Sequence, residues 1–264
     1  MEARSGRSIF WLPLWLSIGQ EEGYTMSEKS RIYPHGKVEQ ISEDIFMVRG
    51  SININPVVRI SRNMAIIREG GELTVVNPLR VTKEVEDEIL SLGNIAHVMR
   101  LGAFHGVDDT YYVDKFSAKM WAQVGGTTYT TPQITDVLSE GCTLPFTNAQ
   151  VIEIGGSVQP ECVLLMNIDN GLLLTCDAIQ NYGDYSYNNF LTRLILPFIG
   201  FPKKTIVGPI WLKFMTPVGQ SLEKQFRNLL ELPFDSLLAA HGTLMKSGAH
   251  CAVREAIDTA FADK

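Results

Sequence analysis

The first half of the chain opens with short apolar runs that alternate with polar turns. Four runs rich in β-branched residues occur between positions 44 and 76, a pattern typical of strands in a β meander. They are Ile45–Val48, Val57–Ile60, Met64–Ile67 and Leu73–Val76. Paired glycines between the last two runs, Gly70 and Gly71, suit a tight hairpin turn. The pattern therefore predicts antiparallel strands in this region.

Beyond position 80, helical and strand patterns alternate. Apolar residues recur at helical spacing between Thr82 and Leu92, which predicts an amphipathic helix capped by Thr82. Strands are predicted at 97–101, 119–123, 151–154, 162–166, 171–175 and 237–240, and helices at 221–231 and 249–262. Residues 190–215 are apolar and Pro-rich, which predicts an irregular connection with some helix. Two blocks of strands, each followed by helices, predict packed sheets with helices outside, of the α/β (α+β) class.

The composition narrows the classes of partner. The 264 residues carry 23 Lys and Arg against 29 Asp and Glu, a formal net charge of −6, with no long basic run. Because phosphate contacts need clustered Lys and Arg, we expect no nucleic-acid partner. With 45% hydrophobic residues the chain can bury a sizeable core, and it shows neither a long linker nor a repeat. Residues 26–264 are therefore predicted to form a single domain.

The first 25 residues form a separate case. Ile9–Ile18 is a short apolar run that weakly resembles a signal peptide, but it is too short to span a bilayer. We interpret residues 1–25 as a disordered or spurious extension, with Met26 as the natural start. No other stretch reaches transmembrane length. The expected location is cytoplasmic, and the expected partner is a small-molecule substrate or ligand.

Four polar side chains follow apolar strands, where rigid scaffolds usually hold functional groups. His105 and Asp109 lie in a polar loop, predicted to run to Tyr112, after the strand that ends at Leu101. Asp177 and His241 each follow a later apolar run directly. Imidazole and carboxylate groups are ligands that zinc, manganese and iron accept. Taken singly, each has a structural alternative: a histidine at a strand end is commonly a hydrogen-bonded structural residue, and an aspartate can cap a turn.

All four positions lie in three segments that resemble motifs of the metallo-β-lactamase superfamily. The segment His105-Gly106-Val107-Asp108-Asp109-Thr110 resembles the His-x-His-x-Asp-His motif, with His105 and Asp109 in matching places. Leu174-Thr175-Cys176-Asp177-Ala178 resembles the strand that ends in a metal-bridging Asp, and His241-Gly242 resembles the final His-Gly pair. The resemblance covers roughly residues 36–262, and the motifs follow the family's order.

The sequence also departs from the family's pattern. Val107 and Thr110 stand where two further histidines are usual, and Gly155–Pro160 lacks the histidine of the Gly-His-Ser/Thr-Pro-Gly segment. The resemblance therefore implies a four-layer αββα sandwich with a degenerate metal site. One divalent metal, zinc first and iron or manganese next, would be held by His105, Asp109, Asp177 and His241. Asp109 and Asp177 are the expected catalytic residues, which orient water for hydrolysis of an ester, thioester or similar small substrate.

Two questions stay open at the level of sequence. Two converging carboxylates without a cation would repel, which raises a carboxylate pKa or the imidazole pKa values. The cluster is therefore either a mononuclear metal site or an ion-pair network with protonated histidines. The alternative to a hydrolase is a non-catalytic protein of the same fold that binds a small molecule or a protein, because relaxed catalysis would leave ligands missing.

Overall fold

The larger of two main sheets is built from the first seven strands in sequential order. The computed structural model describes residues 31–262, so the prediction for residues 1–25 lies outside the described residues. The strands are β1 (Val38–Ser42), β2 (Ile45–Asn53), β3 (Arg59–Glu69), β4 (Glu72–Val76), β5 (Asn94–Arg100), β6 (Lys119–Ala122) and β7 (Asp136–Val137). β1 to β4 pair antiparallel, whereas β4 to β7 pair parallel. The strand direction depends on the type of connection, because short turns join antiparallel strands and longer crossovers join parallel ones.

The second sheet contains four strands in the order β13-β10-β9-β8. They are β8 (Ala149–Glu153), β9 (Cys162–Met166), β10 (Leu172–Thr175) and β13 (Ser236–Ala239). β10 runs parallel to β13 and antiparallel to β9. A separate pair is formed by β11 (Ile179–Asn181) and β12 (Thr205–Val207). These connections place the carboxyl ends of β10 and β13 beside the amino end of β9, at one edge of the sheet.

Six α-helices lie along the described chain. They are α1 (Lys83–Leu90), α2 (Asp109–Phe116), α3 (Phe190–Ile195), α4 (Pro209–Met215), α5 (Glu223–Asn228) and α6 (Ala249–Ala260). Single turns of 3-10 helix continue α3 over Leu196–Ile199 and α5 over Leu229–Glu231. Within residues 31–262, no helix combines the length and the hydropathy needed to cross a membrane.

Three layers of apolar side chains separate four layers of secondary structure. The inner layer fills the space between the two sheets and includes Met47, Leu164 and Leu174. One outer layer packs α1 and α2 on the larger sheet, and the other packs α4, α5 and α6 on the smaller sheet. A sheet has two faces to cover, and here each sheet covers one face with its partner and the other with helices. The expected αββα sandwich is confirmed.

Two local predictions are wrong. The runs at 57–60 and 64–67 belong to one long strand, β3, because the polar residues between them are buried within it: Ser61, Arg62 and Asn63. The segment predicted as a polar loop up to Tyr112 contains the start of α2, which begins at Asp109. The hairpin at Gly70 and Gly71 is confirmed, since both residues have the positive φ angles, 58° and 84°, that glycine adopts readily.

Candidate metal centre

The ends of strands from both sheets meet where the candidate residues lie. Asp177 follows β10 and His241 follows β13, and these strands are parallel neighbours. β3 of the larger sheet contacts this edge, because the Asn63 amide donates to the carbonyl of Ala240 at 2.8 Å. The loop that carries His105 is fastened by Arg62, whose Nη2 donates to the His105 carbonyl at 2.9 Å. Three segments remote in sequence are thereby brought to one place.

Three of the four predicted ligands form one compact cluster. Nε2 of His105 lies 3.2 Å from Nε2 of His241 and 3.3 Å from Oδ2 of Asp177. Nε2 of His241 lies 3.0 Å from Oδ1 of Asp177. The two histidines are only 4% and 5% exposed, while the Asp177 side chain is 14% exposed and is the member nearest to solvent. His105, Asp177 and His241 therefore present three potential ligand atoms to one point.

The hydrogen bonds of His241 fix which of its nitrogens can act as a ligand. Nδ1 lies 2.6 Å from the carbonyl oxygen of Ser61, which can only accept, so Nδ1 carries a proton. A neutral ring then has a lone pair at Nε2, and this atom faces Asp177 and His105. Metal-binding histidines commonly hold their second nitrogen in this way.

Gly242 is required directly after His241. Its φ angle is +90°, and a Cβ at this position would lie 1.9 Å from the carbonyl oxygen of Asn181. No residue with a side chain fits without moving the backbone of β11. The His-Gly pair in the sequence therefore has a steric reason, which is that the chain turns tightly against β11 to hold His241 at the cluster.

Electrostatics favour an uncharged His105 beside an ionised Asp177. Burial lowers the pKa of His105 to about 4, although the nearby Asp177 opposes this shift. Burial by itself raises the pKa of Asp177, and positive charge and hydrogen bonds at His105 and His241 lower it below its usual range. When both imidazoles are neutral, a bound cation would supply that positive charge. An ion-pair network with both histidines protonated, one of the two states open from the sequence, therefore does not match the environment of His105.

With both histidines neutral, the facing atoms of the cluster include more hydrogen-bond acceptors than donated protons. If His105 carries its proton on Nε2, that one proton can satisfy either Asp177 or His241, but not both. Nδ1 of His105 and Oδ2 of Asp177 have no hydrogen-bond partner among the described residues. Buried polar atoms without partners are costly, and a cation would satisfy all three facing atoms at once.

The spacing also fits a cation. Ligand atoms about 2.1 Å from one tetrahedrally coordinated zinc ion lie about 3.4 Å from one another. The two Nε2 atoms lie 3.2 Å apart, and the Asp177 carboxylate lies 3.3 Å from one through Oδ2 and 3.0 Å from the other through Oδ1, which are distances close to this value. Two imidazole nitrogens and a carboxylate suit zinc, and also iron or manganese. The donor set and its spacing therefore fit one divalent metal ion.

Asp109 is not part of this cluster. Its carboxylate does not lie within 4.8 Å of all three ligand atoms, and Nη1 of Arg100 lies 3.3 Å from its Oδ2. Asp109 is the first residue of α2 and is fully buried. The structure brings three of the four predicted residues together, and the fourth, Asp109, stands beside a guanidinium.

The surroundings of Asp109 differ from those of Asp177. Burial raises the pKa of Asp109 to about 7, and the nearby Arg100 and Arg62 only partly oppose the shift. Arg62 also lies 3.6 Å from Oδ2 of Asp108. Gly106 permits the close approach of Arg100, since a Cβ there would lie 2.3 Å from Nη1 of that arginine. Two buried guanidiniums thus occupy the side of the site where the sequence predicted a fourth ligand.

Glu161 is a neighbour of the cluster that the sequence analysis missed. Its Oε1 accepts a hydrogen bond from the Ala178 amide at 2.6 Å, and its second oxygen lies near Cys176 and Asp177. Burial, followed by the proximity of Asp177, raises the Glu161 pKa well above its usual range, and burial likewise raises that of the Cys176 thiol. Ligand atoms of Glu161, Cys176 and Asp177 lie within 4.8 Å of one another, so these residues form a second group beside the cluster that shares Asp177 with it. The available signal was position, because Glu161 directly precedes the wholly buried strand β9.

Comparison of sequences does not assign the chain to a protein family. No protein-family model matches it, and no curated protein matches it.

Solved structures share the fold at low sequence identity. The DIM-1 metallo-β-lactamase exposed to ceftazidime is 13% identical, with a TM-score of 0.59 over 87% of this chain and 99% of that chain. A metallo-β-lactamase from Erythrobacter litoralis is 12% identical, with a TM-score of 0.57 over 88% and 95%. A mutant flavo di-iron protein from Thermotoga maritima is 14% identical, with a TM-score of 0.58 over 88% and 63%. The layer order, the strand ends that carry the cluster and these likenesses agree that the chain adopts the metallo-β-lactamase fold.

Proposed function

We propose that this protein is a metal-dependent hydrolase with a reduced, mononuclear site. The observation that carries the proposal is the convergence of two imidazole nitrogens and one carboxylate, 3.0 to 3.3 Å apart, at an edge shared by both sheets. His105, His241 and Asp177 are the proposed ligands, and zinc is the proposed metal. The proposed substrate is a small ester, thioester or related acyl compound.

Each residue has a distinct part in this mechanism. The ring of His241 is oriented by the Ser61 carbonyl, and the loop that carries His105 is held by Arg62, so both residues present Nε2 to the cluster. A bound divalent cation supplies a Lewis acid that polarises the substrate carbonyl and makes nearby water more acidic. Asp177, the most exposed of the three, orients that water by accepting its hydrogen bond. The buried histidines exclude bulk water from the inner side of the site.

A second candidate function is a non-catalytic binding module. It is favoured by one observation, the pairing of Asp109 with Arg100, which removes a predicted catalytic carboxylate from the site. In that case the protein would bind a ligand without converting it, and the cluster at Asp177 would only stabilise the structure. The two candidate functions predict different effects of replacing His241 on metal-dependent turnover and on ligand affinity.

The metal content of protein purified without chelators tests the proposal. We expect about one equivalent of zinc per chain, and loss of most of it in His241→Ala, because a tridentate site that loses a ligand binds metal much more weakly. His250→Ala is the matched control, since Nε2 of His250 binds the carbonyl of Leu230 on the helical side of the molecule. Wild-type protein with less than about a tenth of an equivalent, and no uptake of added zinc or manganese, would contradict the proposal.

Hydrolysis of a panel of p-nitrophenyl esters, thioesters and lactones separates the two candidates. A hydrolase should lose its turnover in His241→Ala and keep it in His250→Ala. A binding module should show no metal-dependent turnover in any of the three proteins and should keep its ligand affinity in both variants.

A further inference from the structure

The segment from α3 to the turn that follows exposes an unusual amount of apolar surface. Phe190 is 77% exposed and Phe198 is 89% exposed. Three large apolar side chains between them and one directly after Phe198 are also exposed: Leu191, Leu194, Ile195 and Ile199. Single exposed apolar residues are common, but six within ten residues form a contiguous patch of the kind that marks an interaction surface. We call residues 190–199 the apolar patch.

The inner side of the apolar patch packs on a small buried cluster of aromatic and aliphatic residues. Leu196 and Phe201 pack with Tyr182, Tyr185 and Ile206 in a small buried cluster. The Tyr185 hydroxyl donates to the carbonyl of Phe201 at 2.6 Å, and the Asn189 side chain caps α3 by accepting from the Thr192 amide. The segment thus has a packed inner side, so the exposed residues form its outer side.

The surroundings of the apolar patch are basic although the protein is acidic. Residues 185–222 contain Arg193, Lys203, Lys204 and Lys213 but no Asp or Glu, whereas the whole chain has a net charge of −6. All four basic residues are exposed. Arg193 donates to the carbonyl oxygens of Asn188 and Ser186, and Lys203 lies over the ring of Tyr185, so the contacts of these two do not neutralise their charge.

We propose that the apolar patch and its basic surround dock this protein on an anionic lipid bilayer. Exposed Phe, Leu and Ile side chains can enter the boundary between headgroups and acyl chains, while flanking Lys and Arg bind anionic headgroups. Phe190 and Phe198 are the inserting residues, and Lys203 and Lys204 are the headgroup contacts. Docking by this surface does not require a metal at the cluster of His105, Asp177 and His241.

Charge favours a bilayer over a second copy of this chain. A symmetric dimer through the patch would place the same four positive charges of two chains against each other, because an isologous interface matches a surface with itself. Like charges across an interface are unfavourable. An anionic lipid surface instead complements the charge and accepts the apolar side chains at the same time.

Sedimentation of the full chain with phosphatidylcholine vesicles, with and without phosphatidylserine, tests the proposal. We expect binding to the vesicles with phosphatidylserine, weakened by salt and much weaker on phosphatidylcholine alone. The double variant Phe190→Ser/Phe198→Ser should lose binding, and Lys203→Glu/Lys204→Glu should lower affinity at least about tenfold. Thermal melting confirms that each variant is folded.

Matched control variants carry the same kinds of substitution at exposed positions outside the apolar patch and its basic surround. Val124→Ser/Val137→Ser removes two exposed apolar side chains of the larger sheet, and Lys119→Glu/Lys224→Glu reverses two exposed charges outside residues 185–222. Both controls should bind as the wild type does. The proposal is overturned if the patch variants bind vesicles like the wild type, if no protein binds, or if the wild type is a dimer without vesicles that Phe190→Ser/Phe198→Ser dissociates.

Discussion

Two buried carboxylates lie on neighbouring parts of the site, and their partners differ in kind. Asp177 faces the imidazoles of His105 and His241, whereas Asp109 faces the guanidinium of Arg100. A guanidinium stays charged at any physiological pH and supplies a positive charge beside the carboxylate. A neutral imidazole carries no such charge. One side of the site therefore has a cation within the chain, although the Asp109 carboxylate has no hydrogen-bond partner among the described residues, whereas the other side would gain a cation only from a bound metal.

Removing the guanidinium should have the largest effect on stability. Arg100→Met leaves Asp109 buried without its nearest cation, and breaking a buried ion pair on one side costs about 3–5 kcal/mol of unfolding free energy. Adding Asp109→Asn should restore part of the loss, because the buried charge is then absent. Urea unfolding of the single and double variants measures both effects.

A surface ion pair serves as the control for this experiment. Arg49 lies 2.9 Å from Asp184, whose side chain is 42% exposed, so Arg49→Met should cost no more than about 1 kcal/mol. Equal losses in Arg100→Met and Arg49→Met would show that Asp109 does not depend on Arg100, and the contrast between the two carboxylates would disappear.

Added metal should stabilise the protein through Asp177 and not through Asp109. A ligand at 100 times its dissociation constant adds about 2.7 kcal/mol to the unfolding free energy of a protein that binds it only when folded. We expect zinc to raise the melting temperature of the wild type and of Asp109→Asn, but not that of Asp177→Asn. Differential scanning calorimetry with and without zinc measures the shift. A lost response in Asp109→Asn would make Asp109 a ligand and would break the comparison.

Per pH unit, the smallest expected effect is the pH dependence that belongs to Asp109. Its folded pKa is raised to about 7 from an ordinary 3.8, so between these values the folded protein holds a proton that the unfolded chain has released. The contribution of Asp109 to stability is therefore present at low pH and is lost as the pH rises through about 7. The slope is at most about 1.4 kcal/mol per pH unit.

Comparison with Asp109→Asn isolates this contribution. The unfolding free energy of the wild type minus that of the variant should fall between pH 4 and pH 7, as urea titrations at several pH values would measure. A difference that stays constant with pH would mean that Arg100 keeps Asp109 ionised throughout this range.

The residues that misled the strand prediction are those that support the site. Ser61, Arg62 and Asn63 split β3 into two apparent runs because they are polar, and polar residues within a strand usually face water. Here each is at most 2% exposed and contacts the loops that carry the histidines. Local pattern rules fail at such positions because a functional site overrides them.

The sequence by itself determined the layers and the candidate ligands. Short-range periodicity predicts strands and helices because burial of one face acts on neighbouring residues, and motif order pointed to His105, Asp109, Asp177 and His241. Only the tertiary structure decided that Asp109 belongs to Arg100 and that Glu161 lies beside Asp177. Those contacts join strands and loops that are far apart in sequence. Periodicity reports only which face of an element is buried, so it does not reveal which distant side chain a buried residue will contact.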